Sequence, residues 1–168
     1  MKRANELLES LGVATPDRSI PLKLAVPFFQ AASLEDDDYL QDMWAKLLVN
    51  STVSETGVEL RRAHIDILER LSPMEARILN NIYSFSREEL QQHAVFTGKL
   101  PDKAELEKEE KSEVQKQPPE EVVMALANLS RLGCLALPTT WDGGEIFTVV
   151  HPTVMGRSLV EACTFKSE

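Results

Sequence analysis

Residues 72–83 read SPMEARILNNIY, and this stretch carries the strongest local signal in the chain. Ser72 is a natural N-cap. Pro73 suits a first helical position, where an N–H would have no partner, and Glu75 follows at the spacing of a capping box. Behind that start, Ile78, Leu79, Ile82 and Tyr83 recur at the spacing of one helix face. Ser86 and Glu89 repeat the cap-and-glutamate pattern and predict a helix through about Phe96, closed by Gly98. Glu120–Arg131 is the next helix, with Val122, Val123, Leu126 and Leu129 as its stripe and Gly133 as its stop. Leu135–Leu137 and the β-branched run Ile146–Val150 flank Asp142-Gly143 and predict a β-hairpin. His151-Pro152 then breaks the second strand, and Thr153 caps a closing helix with Met155, Leu159, Ala162 and Cys163 along one side. Three helices followed by a two-stranded hairpin is the layout of a winged helix-turn-helix. Glu120–Arg131 would take the recognition position and residues 139–145 the wing.

Residues 101–117 (PDKAELEKEEKSEVQKQ) interrupt this order. Ten of the seventeen are charged, and only Ala104, Leu106 and Val114 are apolar, too few to bury a face, so a solvated insertion or linker is expected.

The N-terminal half reads as helical throughout. Residues 3–11 form a short helix with Leu7, Leu8 and Leu11 on one side and Gly12 as its stop. A helix of that length does not hold alone in water, so it is expected to dock, or to belong to a longer parent chain. Residues 13–20 connect it to an apolar segment opened by Pro21, where Pro27 predicts a kink or two short pieces. Ser33 and Asp36 fit a second capping box, and Glu35–Asp38 place carboxylates in the next first turn, facing the positive end of the helix dipole. Four consecutive acids also suggest a metal site, but successive helical residues point 100° apart and cannot converge on one ion unaided. Leu40, Met43, Trp44, Leu47 and Leu48 form a wide apolar stripe, with Asn50–Thr52 at its end. A further helix over about 58–70 turns Ile65, Leu68 and Leu71 inward and Arg61, Arg62, Glu69 and Arg70 outward. The expected fold class is therefore mainly α. A helical part over 1–71 precedes a winged-helix-like part with a small β-hairpin over 72–168, interrupted at 101–117, unless the whole is one compact domain.

The chain has 168 residues, 43% of them apolar, and a net charge of −9. That length can bury a working core. The charge is spread: residues 1–71 carry 8 basic and 12 acidic side chains, and residues 72–168 carry 10 and 15. Within 118–168 only Arg131, Arg157 and Lys166 stand against six acids. Glu120 and Glu121 sit where a recognition helix meets base edges, and the wing offers Trp141, Asp142 and Glu145 where phosphate contacts call for cations. Nucleic acid is thus disfavoured as a partner, and the unit reads as a protein-contact module. Trp141 and Asp142 are the candidate contact residues, although Trp141 is expected first to fold back and cover the hairpin. The short leading helix and the apolar 21–32 segment together make a homodimer through the N-terminal half a reasonable expectation.

Chemistry is hard to assemble from these residues. His64, His93 and His151 are scattered without metal-ligand spacing, and His64 beside Ile65 reads as a packing histidine. Cys134 and Cys163 lie on apolar stretches, where free cysteine behaves as a small hydrophobe. No nucleophile, base and oxyanion donor come together. The expectation is no enzyme, no cofactor and no metal. No apolar run reaches the roughly 18 residues needed to span a bilayer, and the N-terminus lacks a signal-peptide layout, so a cytoplasmic location is expected.

Four strings add a resemblance. Leu40–Leu48 (LQDMWAKLL) after the acidic Glu35–Asp38 start resembles the central helix of the abortive infection alpha family. His64–Leu79 (HIDILERLSPMEARIL) is similar to that family's next stretch, and NLSRLGCL over Asn128–Leu135 with Thr153–Cys163 to its C-terminal segment. The resemblance covers roughly residues 20–165. It implies a bacterial or phage-associated cytoplasmic protein in a phage-defence setting and brings no catalytic residue with it. The matching positions are core and capping residues.

Overall fold

The computed structural model describes Glu6, Glu9, residues 16–107 and residues 116–165. The helix expected over 3–11 lies outside the described residues apart from Glu6 and Glu9, both helical and exposed. The chain is mainly α-helical with a small antiparallel sheet. It divides into two compact units: the described residues up to Pro73 with those from Leu159 on, and Met74–Ser158.

In the first unit, α1 (Leu22–Leu34) is one continuous helix with Pro27 inside it. The break expected there does not split the element. Its first turn is closed by Leu24 and Ala25 N–H groups donating to Pro21 O. Ser33 is not the cap of the next helix, because it lies within α1 and its hydroxyl donates back to Gln30 O. The cap of α2 (Asp38–Thr52) is Asp37, whose carboxylate accepts from Tyr39 and Leu40 N–H at 2.9 and 3.0 Å. Asp37 wins because its extended backbone puts its carboxylate over the first exposed N–H groups. Of the α2 stripe, Leu40, Met43, Trp44 and Leu47 are buried as their spacing predicts, and Leu48 is half-buried. Phe28 meets Trp44 edge to face at 5.1 Å. A 3-10 turn (Ser54–Thr56) ends at Gly57, whose φ of +68° is easy for glycine. Asp17 receives the Ser54 N–H at 2.7 Å, while Asp17 and Arg18 N–H groups both donate to Thr52 O. The expected helix over 58–70 is shorter, α3 (Arg62–Leu68), with Ile65 and Leu68 fully buried.

Asn50 belongs to the same unit and is buried. Its Nδ2 donates to Ala162 O and Thr164 O, both at 2.9 Å, satisfying carbonyls at the end of the closing helix that have no intrahelical partner. Asn50→Ala should cost about 2–3 kcal/mol in urea unfolding, since it strands those carbonyls in a buried place. Asn50→Asp should cost more, because a carboxylate would face them without a donor.

In the second unit, α4 (Pro73–Tyr83) starts at Pro73 and buries Ile78, Leu79 and Ile82, as its spacing predicts. Glu75 is also buried, and its Oε1 accepts from Asn128 Nδ2 at 2.7 Å. The α5 capping box is present in both directions between Ser86 and Glu89. The helix, α5 (Arg87–Gln92), nevertheless stops well before Phe96, and β1 (Val95–Phe96) takes those residues. Val95 is β-branched and fully buried, paired with Leu106 on one side and Val150 on the other. Its partner β2 (Glu105–Leu106) falls inside the charged stretch, so the solvated insertion expected from residue 101 is ordered through Glu107, and Ala104 is buried. Residues 108–115 lie outside the described residues.

Helix α6 (Glu120–Arg131) buries Val122, Ala125, Leu126 and Leu129. It stops at Gly133, with φ +74°, where Cys134 N–H reaches back to Leu129 O. The hairpin is β3 (Leu135–Ala136) with β4 (Val149–Pro152), in the register Leu135 to Pro152 and Ala136 to His151. The second strand therefore lies later than the β-branched run suggests, and His151-Pro152 belongs to it instead of breaking it. The sheet order is β2-β1-β4-β3, all antiparallel. The closing helix α7 (Val154–Ala162) is capped by Thr153, whose Oγ1 accepts from Gly156 N–H at 3.0 Å and donates to Gly133 O at 2.6 Å.

Around this cap the unit is tied by Tyr83. Its hydroxyl donates to Cys134 O at 2.6 Å and accepts the Thr153 N–H at 2.9 Å. The Arg157 guanidinium lies over its ring, 5.4 Å from the centroid. Burial pushes the phenol's pKa up, and the Thr153 hydrogen bonds pull against it.

Candidate functional site

The hairpin apex is exposed throughout residues 139–145. Thr139 and Glu145 form an isolated antiparallel bridge apart from the β3–β4 pairing, and Ile146 N–H reaches Pro138 O at 2.9 Å. Between them the turn closes on Thr140. Its N–H donates to Gly144 O at 2.8 Å, its O accepts from Gly143 N–H at 3.0 Å, and its Oγ1 accepts from Gly144 N–H at 2.9 Å. Thr140 Oγ1 also bonds the Asp142 carboxylate, the first cause holding that carboxyl below its ordinary range. Gly143 has φ +87°, a conformation that costs a glycine little.

This closed turn holds Trp141 out in solvent, with a relative accessibility of 108%. The expectation that Trp141 folds back over the hairpin is therefore corrected. Every bond that fixes the turn runs through its neighbours, and none draws the indole inward. Asp142, Gly144 and Glu145 beside it are exposed too, so the apex is a bare aromatic ringed by two acids. The sequence signal that could have shown this is Thr140-x-Asp142-Gly143, a threonine whose hydroxyl can close a short turn on itself.

Helix α6 presents Glu120, Glu121 and Met124 to solvent and holds Arg131 at its far end. Met124, absent from the sequence reading, is an exposed apolar side chain on the helix that would read DNA. A helix first turn with two carboxylates repels phosphate, where a reader would offer cations or amide donors.

Two of the four acids at Glu35–Asp38 serve the start of α2. Glu35 Oε1 accepts from the Asp36 and Asp37 N–H groups, and Asp37 caps α2. Among the described residues, no three His, Cys, Asp or Glu side chains are grouped to hold a metal ion. Cys134 and Cys163 are both free and buried, and burial, the leading cause in each, pushes their thiols up to about 12. At neutral pH neither supplies a thiolate. His93 ends α5 partly covered, and His151 is exposed on β4.

His64 is buried on α3, and burial, with Arg61 adding to it, lowers its pKa below 6.5. The folded state therefore resists a proton that the unfolded chain accepts. Stability from this group is whole above pH 6.5 and falls as pH drops toward the depressed folded value. Urea unfolding at a series of pH values from 7.5 downward should show a shallower acid slope for His64→Gln than for the natural chain. Equal slopes would mean that His64 takes up its proton in the fold as readily as in the unfolded chain.

Comparison with known proteins matches residues 1–163 to a family model described as abortive infection alpha. It extends the resemblance read from the four strings toward the N-terminus. No curated protein and no solved structure matches.

Proposed function

The chain belongs to the abortive infection alpha family, and from that premise we propose that it is a non-enzymatic protein-binding module of bacterial phage defence, acting in the cytoplasm. The observation that carries this reading is the bare Trp141 on its closed turn, between acidic neighbours. Tryptophan is enriched at binding hot spots because it brings a large, stiff apolar surface with one polar edge. Asp142 and Glu145 favour a partner surface with cations around an apolar pocket. Among the described residues, no helix is long and apolar enough to cross a membrane.

A second reading, a winged-helix DNA-binding regulator, is supported by the succession of α4, α5, α6 and the β3–β4 hairpin. The exposed acids at the start of α6 and at the hairpin apex weigh against it.

Affinity capture from infected and uninfected host cells, with Trp141→Ala as the paired bait, tests the first reading. The expected result is a protein retained by the natural chain and lost with Trp141→Ala, whose stability stays within about 0.5 kcal/mol of the parent because the side chain touches nothing. Retention on duplex DNA that weakens steeply with salt, and no Trp141-dependent protein, would favour the regulator instead.

A further inference from the structure

Helix α1 buries only Phe28 and Ala31. On its other side Leu22, Val26 and Phe29 remain 80%, 52% and 42% exposed. Their spacing of four and three residues puts them on one stripe. The charges at its two ends are the reverse of what the helix's own dipole favours. Lys23 is exposed in the first turn, where no acid stands, and exposed Asp36 follows the last turn. An antiparallel neighbour of the same sequence would bring each of these charges near its opposite.

We propose that α1 is a self-complementary docking face on which a second copy of this chain lays the same helix antiparallel, about a two-fold axis between Pro27 and Phe28. That axis sets Val26 opposite Phe29 of the other copy, and the reverse. Leu22 meets the Ser33–Leu34 end. Lys23 then falls opposite Ala32 in the last turn of the other copy's α1, and its flexible stem points toward Asp36 just past that helix end. The same patch serves both copies, so assembly stops at two. A single helix pair buries less than the roughly 1,600 Å² of a standard interface, so the association is expected to be weak and to depend on concentration. This face is separate in sequence from the hairpin apex, so the loss of either reading leaves the other standing.

Sedimentation of the intact chain from low-micromolar to several hundred micromolar concentration tests this. The natural chain should move from one toward two copies, and Val26→Glu or Phe29→Glu should weaken that association at least about tenfold. These side chains are exposed, so unchanged circular dichroism would confirm that the variants fold. Lys23→Glu alone and Asp36→Lys alone should each weaken association, and the double variant should restore it. A natural chain that stays monomeric throughout overturns the proposal, as does a dimer indifferent to Val26→Glu. A dimer that the double charge reversal fails to restore overturns the antiparallel pairing.

Discussion

Replacing Gly156 with alanine is expected to destabilise the second unit by about 3–5 kcal/mol, although alanine in a helix ordinarily gains up to about 1 kcal/mol over glycine. The reversal of sign comes from what surrounds this position. A Cβ there would overlap Cys134 O and the Tyr83 hydroxyl and would stand 2.7 Å from Tyr83 Cζ. Cys134 O is main chain held between the end of α6 and β3, and Tyr83 Oη is fixed by its bonds to Cys134 O and Thr153 N–H. Neither can yield without breaking the tie between α4, the hairpin and the start of α7. The measurement is thermal unfolding, with a drop of about 10 °C expected for a chain of this size. Tyr83→Phe should cost about 1–3 kcal/mol, since it leaves the Cys134 carbonyl and the Thr153 N–H unpaired. Combined with Gly156→Ala it should cost less than the sum, because one of the two overlaps is gone. A neutral or stabilising Gly156→Ala would mean that Tyr83 does not sit over that glycine.

Trp44→Ala should destabilise the first unit by about 3–5 kcal/mol, the range for removing a large buried aromatic. Trp44 is 3% exposed and meets Phe28 edge to face. A sharper test is Trp44→Phe. The Trp44 indole Nε1–H is buried without an acceptor among the described residues, and a donor left in that state opposes folding. Phenylalanine keeps most of the packing and removes the donor, so it should cost less than half of what alanine costs. If phenylalanine proves as damaging as alanine, the N–H has a partner in the folded protein. If alanine is nearly neutral, the helix face is wrongly placed.

What could be read from residue types alone tracks what is decided within a few residues. The stripes of α2, α4 and α6, the Ser86–Glu89 box, Pro73 at a helix start and Gly133 at a helix end are all set by neighbours close in sequence. The misplaced features depend on distant partners. Two-residue strands have no periodicity to detect, and Val95–Phe96 follows a helix whose pattern continues through it. Glu105–Leu106 is strand only because it lies beside β1. Ser33 and Asp37 are both good caps, and the choice falls to Asp37 because α1 continues through Ser33. At the candidate site, the hairpin and the acids beside Trp141 were legible, but the outward direction of its indole was not. That direction follows from the Thr140 bonds that close the turn beneath it.

The chain holds only two tryptophans, and the fold gives them opposite surroundings in different units. Trp44 is enclosed in the first, and Trp141 stands in solvent in the second. Their fluorescence is therefore a pair of separate reporters already present in the natural chain. Trp44 emits from an apolar setting and shifts to longer wavelength only when its unit opens. Trp141 already emits as an indole in water and is the one reached by a dissolved quencher. A ligand that covers the hairpin apex would shift emission to shorter wavelength and protect it from quenching, the opposite of the change that unfolding produces. Binding at the hairpin apex and loss of structure in the first unit can thus be told apart in a single cuvette, without a label.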